Sequence, residues 1–181
     1  MVDYIHVCIP FEPGRKLAFA YDRAMENSPT EWTLILDHDL YFCNPLWYIM
    51  SLNAIKQLEG KKVGWITAKT NRIGNKSQLY SVPNDSDDLN YHIDIASKLY
   101  KEKRNNLSLV RGNPSGFFIL TNKTAWADVG GFIDIGKGLS GVDINYAKRL
   151  RSKGYNSYVM EGLYLYHYYK KRKKELYNKF K

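Results

Sequence analysis

Trp32-Thr33-Leu34-Ile35-Leu36-Asp37-His38-Asp39 is the stretch on which the fold turns. Its first five residues form a nearly continuous apolar run of strand length, the pattern of a strand covered on both faces, and two acids follow at once. Upstream, Tyr4-Ile5-His6-Val7-Cys8-Ile9 is a second β-type run, stopped by Pro10 and the turn formers Pro13-Gly14. Between the two, Leu17, Ala20, Tyr21, Ala24 and Met25 fall at i, i+3, i+4, i+7 and i+8, the single-face spacing of an amphipathic helix, which Asn27-Ser28-Pro29 ends. Strand, helix, strand in this order predicts a right-handed crossover and a parallel pair, the unit of α/β folds, with ligands at the carboxyl ends of the strands.

Downstream the alternation continues. A helix is expected over 45–58, with Pro45 at an acceptable first-turn position, then a strand over 62–67. Residues 68–111 are polar, with loops at 71–76 and 83–88 and a helix over 88–103. Gly112-Asn113-Pro114-Ser115-Gly116 leads into the apolar Phe117-Phe118-Ile119-Leu120, and a short helix over 124–129 is closed by Gly130-Gly131. A glycine-rich loop over 136–141 precedes a helix over 142–153, for which Gly154 is the C-terminal stop, and two last strands are expected at 156–160 and 163–167. The expectation is one catalytic domain over 1–168 and a basic tail over 169–181.

Composition agrees with an ordinary globular chain: 181 residues, 44% hydrophobic and 25% charged. No run of 18 apolar residues occurs, and the first residues lack the order of a signal peptide, which points to a soluble, cytoplasmic protein. The two cysteines, Cys8 and Cys43, stand in apolar stretches, as buried thiols in a reducing compartment would. The net charge of +9 is concentrated at the end, where residues 170–181 hold seven Lys or Arg against the single Glu175. Such a segment meets a nucleic-acid backbone or an anionic membrane surface, or is simply a solvated helix end.

The chemistry-bearing residues begin with Asp37 and Asp39. In an extended chain i and i+2 point to one side, so the two carboxylates repel each other unless a hard divalent cation, sharing its shell with substrate phosphates, relieves them. The plainer reading is an Asp-rich turn before the next helix. Asp143 stands at a helix start after a glycine-rich loop, either aimed into a cleft or merely favoured there by the macrodipole. His167, after Leu163-Tyr164-Leu165-Tyr166, is a metal ligand or a packed side chain. Arg15 and Lys16, at a helix N-terminus, are phosphate contacts or surface cations.

Taken together these segments resemble the GT-A glycosyltransferases, specifically a compact member of the large inverting, family-2-like group. His6-Val7-Cys8-Ile9-Pro10-Phe11 resembles that family's first strand and terminal proline, and Asp37-His38-Asp39 its D-x-D. Gly116-Phe117-Phe118-Ile119-Leu120 with Trp126-Ala127-Asp128-Val129-Gly130-Gly131-Phe132 is similar to "G-x-F-L-I … W-x-x-V-G-G-F". Gly141-Val142-Asp143-Ile144 with Arg149-Leu150-Arg151 and Gly154-Tyr155 is similar to "G-E-D-x-D … R-L-R-x-x-G-Y", with Val142 in place of Glu and Asn145 in place of a second Asp.

The resemblance implies an abbreviated, Rossmann-like, mostly parallel sheet flanked by helices, with a basic C-terminal helical tail. It implies a nucleotide-sugar-dependent transferase using Mn2+ or Mg2+, with UDP-sugars the first expectation for the donor. Asp37, Asp39 and His167 would hold the metal, Asp143 would act as general base, and Pro10, Phe11, Arg15 and Gly116 would line the donor. The acceptor would be a glycan or lipid-linked sugar, or a hydroxylated DNA base that the basic tail and the tyrosines just before it, Tyr164, Tyr166, Tyr168 and Tyr169, could engage. The family's additional strands between the first strand and the D-x-D are missing here. That absence keeps open a non-catalytic, basic binding module on the same scaffold.

Overall fold

The structure is a computed structural model that describes residues 4–81, 86–136 and 141–168; the basic segment 169–181 and most of the glycine-rich loop before Gly141 lie outside the described residues. β1 (His6–Cys8), α1 (Leu17–Glu26) and β2 (Trp32–Leu36) form the expected crossover unit, with β1 and β2 parallel and Cys8 opposite Ile35. All five residues of β2 are buried, as its unbroken pattern requires. The chain continues through β3 (Leu40–Phe42), α2 (Trp47–Gln57), β4 (Val63–Thr70), α3 (Leu89–Lys103), β5 (Leu107–Leu109), β6 (Phe118–Asn122), α4 (Lys123–Asp128), α5 (Val142–Ser152) and β7 (Asn156–His167).

These strands make one sheet in the order β1-β2-β6-β4-β7-β3, with β5 also paired to β7. Four of them, β1, β2, β4 and β7, point the same way. The other three run against them. β6 runs antiparallel between β2 and β4, and the short β3 and β5 run antiparallel along β7. The cause lies in the connection: the loop before β6 emerges at the carboxyl ends of the parallel strands, so β6 must start there and run back.

The two expected final strands are one strand of 12 residues. Glu161-Gly162 breaks the apolar pattern but not the extended backbone. The register against β4 shifts there, between Ala68 and Lys69, and Glu161 N–H donates to the Asn106 carbonyl at 2.9 Å. Gly162 is required at this point, because a Cβ would lie 2.5 Å from Arg104 Cα at the end of α3. Gly154 (φ 80°) follows α5 in the left-handed region, with Tyr155 N–H returning to the Leu150 carbonyl, a Schellman-type stop.

Two apolar layers cover the sheet. α2 buries Met50, Ala54 and Ile55 against Leu163, Leu165 and Phe117 on one face. On the other, α1, α4 and α5 bring Tyr21, Met25, Ala125, Tyr146 and Leu150 over Ile35, Trp65 and Ile119. The polar edge of Trp65 is satisfied inside this layer by donating to the Phe118 carbonyl at 2.9 Å. Among the described residues no helix is long and apolar enough to cross a membrane.

Candidate metal centre and its surroundings

The short strand β3 decides the geometry at the carboxyl end of the sheet. It turns back directly after Asp39 and pairs with the end of β7, placing Leu40 opposite His167, while Tyr168 N–H donates to the Asp39 carbonyl at 2.9 Å. His167 Nε2 thereby comes to 3.3 Å from Asp39 Oδ1 and 3.7 Å from Asp37 Oδ2. One ligand atom from each of the three side chains fits within 4.8 Å of the others. The three differ in exposure: the His167 side chain is 2% exposed, Asp39 8% and Asp37 39%, so the cluster is rooted in the core and opens at Asp37.

Second contacts orient the imidazole. The His167 ring stacks on Phe117 with centroids 5.6 Å apart, and its backbone N–H donates to Asn71 Oδ1 at 2.8 Å. Two carboxylate oxygens and one imidazole nitrogen are a donor set suited to Mn2+, and in their oxygens to Mg2+. Three protein donors are fewer than the roughly six that an octahedral ion takes, which is how ions sharing their shell with substrate phosphates are held. The residues present therefore fit the implied metal.

Asp143 lies in the first turn of α5, entered through Gly141 in the left-handed region (φ 86°). Its Oδ2 accepts the Gly116 N–H at 2.9 Å and its Oδ1 the Ile144 N–H at 2.8 Å. Gly116 admits no side chain, since a Cβ would meet Asp143 Cβ at 2.9 Å. The next residue reaches the other way: the Phe117 carbonyl accepts the Asp37 N–H at 3.0 Å, and its ring carries His167. The Gly116-Phe117 step thus ties Asp143 to both Asp37 and His167. The buried Tyr21 hydroxyl stands in the field of the same two acids, its pKa raised first by burial and then by the charges of Asp37 and Asp143.

The loop carrying Gly116 is held from behind. Gln78 accepts the Ser115 N–H at 2.7 Å and donates to the Ser115 carbonyl at 3.0 Å and to Thr67 Oγ1 at 2.9 Å, while Asn75 donates to the carbonyls of Arg111 and Asn113. The Trp126 to Phe132 segment is tied to α1 by Asp22, whose Oδ1 accepts both the Trp126 indole N–H at 2.7 Å and the Phe132 N–H at 2.8 Å. It is tied to α5 by Arg149, which donates to the Val129 and Gly131 carbonyls. Asn145 orients Arg149 by accepting its Nε–H at 2.8 Å, and Val142 is fully buried in the apolar layer, which accounts physically for both departures from the family's acidic pattern.

Pro10, Phe11 and Arg15 occupy the loop that leaves β1 at the same end of the sheet as Asp37. Phe11 is 85% exposed and Arg15 and Lys16 are exposed, so these residues form a rim presented to solvent, not part of the packed cluster. Glu12 shapes that rim by accepting the Lys16 N–H at 2.7 Å, a bond that lowers its pKa. Asp22, Gln78 and Asn75 carry no sequence signal beyond an acid, Asp22, set beside the apolar stripe of α1; Phe117 stands in the segment that resembles the family, but its ring contact with His167 is not written there.

No protein-family model and no curated protein sequence matches the chain. Solved structures do match. A mannosyltransferase from Pyrobaculum calidifontis, in complex with GDP-Man and Mn2+, superposes with a TM-score of 0.51 at 18% identity. The chain has a glycosyltransferase-like fold. At that identity the likeness is one of fold alone, and it covers 88% of this chain but 38% of the other. The glycosyltransferase-like fold described here is thus spanned by well under half the length of that enzyme.

Proposed function

We propose that the chain is a metal-dependent glycosyltransferase of the GT-A type, moving a sugar from a nucleoside-diphosphate sugar to an acceptor hydroxyl. The observation that carries this reading is the Gly116-Phe117 step, which couples Asp143 to the Asp37, Asp39 and His167 cluster at the carboxyl ends of the strands. In this reading Asp37, Asp39 and His167 hold Mn2+ or Mg2+. When bound, the ion supplies positive charge against the diphosphate as it departs.

Asp143 removes the acceptor proton while the acceptor oxygen bonds to the anomeric carbon and the bond to the diphosphate breaks, giving inversion. The two backbone N–H groups on its oxygens fix the carboxylate's direction, so little reorganisation is needed at the moment of reaction. The exposed Pro10-Phe11 loop lies against the nucleobase, Arg15 approaches the phosphates, and Gly116 lets the backbone come close to the donor.

A thermal-shift panel of UDP-, GDP-, dTDP- and CMP-sugars, each with Mn2+ and with EDTA, tests the donor half. One nucleotide class should raise the melting temperature only with metal, and the rise should vanish in Asp39→Asn. A panel in which no donor shifts wild type, with or without metal, would overturn the reading.

A further inference from the structure

A cavity of about 500 Å³ opens near the start of β7, between the end of α2 and the edge strand β5. Its lining includes Gln57, Lys61, Asn105 and Asn106, with Tyr158 and Glu161 of β7. Tyr158 stands nine residues before His167 on an extended strand, which at ~3.3 Å per residue puts this cavity as much as roughly 30 Å from the metal cluster.

The lining selects its ligand. Glu161 is the acid of the lining, and its charge is already engaged: Oε2 pairs with Lys69 at 3.2 Å and Oε1 accepts the Ser108 hydroxyl at 2.5 Å. Lys61, the other charge of the lining, is exposed, and an ion pair to such a solvated ammonium contributes little, so the cavity holds no buried charge that would select an ion. What remains are three amide side chains, each offering a donor and an acceptor in one plane, beside the partly buried ring of Tyr158. A planar amide, with its donor and acceptor side by side, matches a pair of neighbouring hydroxyls, and an aromatic face matches the C–H face of a pyranose. The volume lies within the range of small-ligand pockets.

We infer that this cavity is a second, non-catalytic site for a neutral saccharide, separate from the donor and acceptor positions at the strand ends. A sugar chain held there would extend along the edge of the sheet formed by β5 and β3 toward the metal end.

The inference is tested by amide NMR titration of the full chain with mannotriose, cellotriose and maltotriose to about 10 mM, beyond a millimolar Kd. Inorganic phosphate is the charged comparator. At least one trisaccharide should shift the amides of Gln57, Lys61, Asn105, Asn106 and Tyr158, and the shifts should persist in EDTA and in Asp39→Asn. Gln57→Ala and Asn105→Ala, both at exposed positions, should each weaken binding several-fold. Tyr158→Ala should weaken it about tenfold while Tyr158→Phe retains it. The absence of any trisaccharide-induced shift at these amides, or shifts from phosphate alone, would overturn the inference. Because the readout needs neither metal nor donor, its failure is distinguishable from failure of the glycosyltransferase reading.

Discussion

The Nε2 atom of His167 lies 3.3 Å from Oδ1 of Asp39, although the two residues are 128 positions apart in the sequence. The β3–β7 ladder makes this contact, so a metal bound there should clamp the two together. Saturating Mn2+ at about a hundred times its Kd should stabilise the wild type by about 2.7 kcal/mol. Asp39→Asn and His167→Ala should abolish most of that gain. Urea titrations with and without Mn2+ measure it, and equal Mn2+ stabilisation of wild type and variants would contradict the assignment.

Asp143→Asn keeps an acceptor oxygen for the Gly116 N–H, so the fold and the donor's metal-dependent thermal shift should survive while transfer falls by at least about a hundredfold. Loss of donor binding in this variant would remove Asp143 from the role of base.

Gly116→Ala should behave differently. The added methyl would lie 2.9 Å from Asp143 Cβ, so either the loop or α5 must move. A cost of about 1–3 kcal/mol is expected, together with loss of transfer, because the same displacement misdirects the carboxylate. Chemical denaturation and single-turnover assays separate the two effects.

Gly162→Ala tests the bulge in β7, far from the acids. Its methyl would meet backbone atoms of Lys103 and Arg104 at 2.5–2.6 Å, and backbone cannot rotate away as a side chain can. The expected destabilisation is about 3 kcal/mol, read as a lower urea midpoint.

Burial pushes the Cys8 thiol up to about 11 from an ordinary value near 9. The folded chain therefore keeps this proton when the unfolded chain has lost it. The contribution to stability is whole below about pH 9 and declines between about pH 9 and 11. At pH 8 the thiolate fraction is about a hundredfold below that of an unperturbed thiol, so alkylation of Cys8 in the native state should be slow and should accelerate on unfolding. Mass-spectrometric labelling at pH 8 with and without urea checks it.

Sequence periodicity located the elements whose pattern is self-contained. α1 declares itself by its stripe and β2 by its unbroken apolar run, and Asp88 begins α3 where expected, accepting the Asn90 N–H. The short strands β3 and β5, three residues each, have no alternation to read and exist because β7 offers them an edge. The continuity of β7 was hidden for a related reason: Glu161-Gly162 reads as a turn locally, and only the approach of Arg104 and Asn106 explains an extended backbone there.

Of the candidate site, the positions of Asp37, Asp39, Asp143 and His167 were legible through resemblance. What brings them together was not. Asp22, Gln78 and Phe117 act on neighbours distant in sequence, and no local pattern encodes such contacts.

β7 is the last described strand that synthesis delivers, and it pairs with β3, β4 and β5 alike. A nascent chain halted before it therefore carries both carboxylates but neither the imidazole nor the ladder that folds β3 back. In the proposed reading, ion capture would then be a late event in biogenesis, one that follows the pairing of the last described strand.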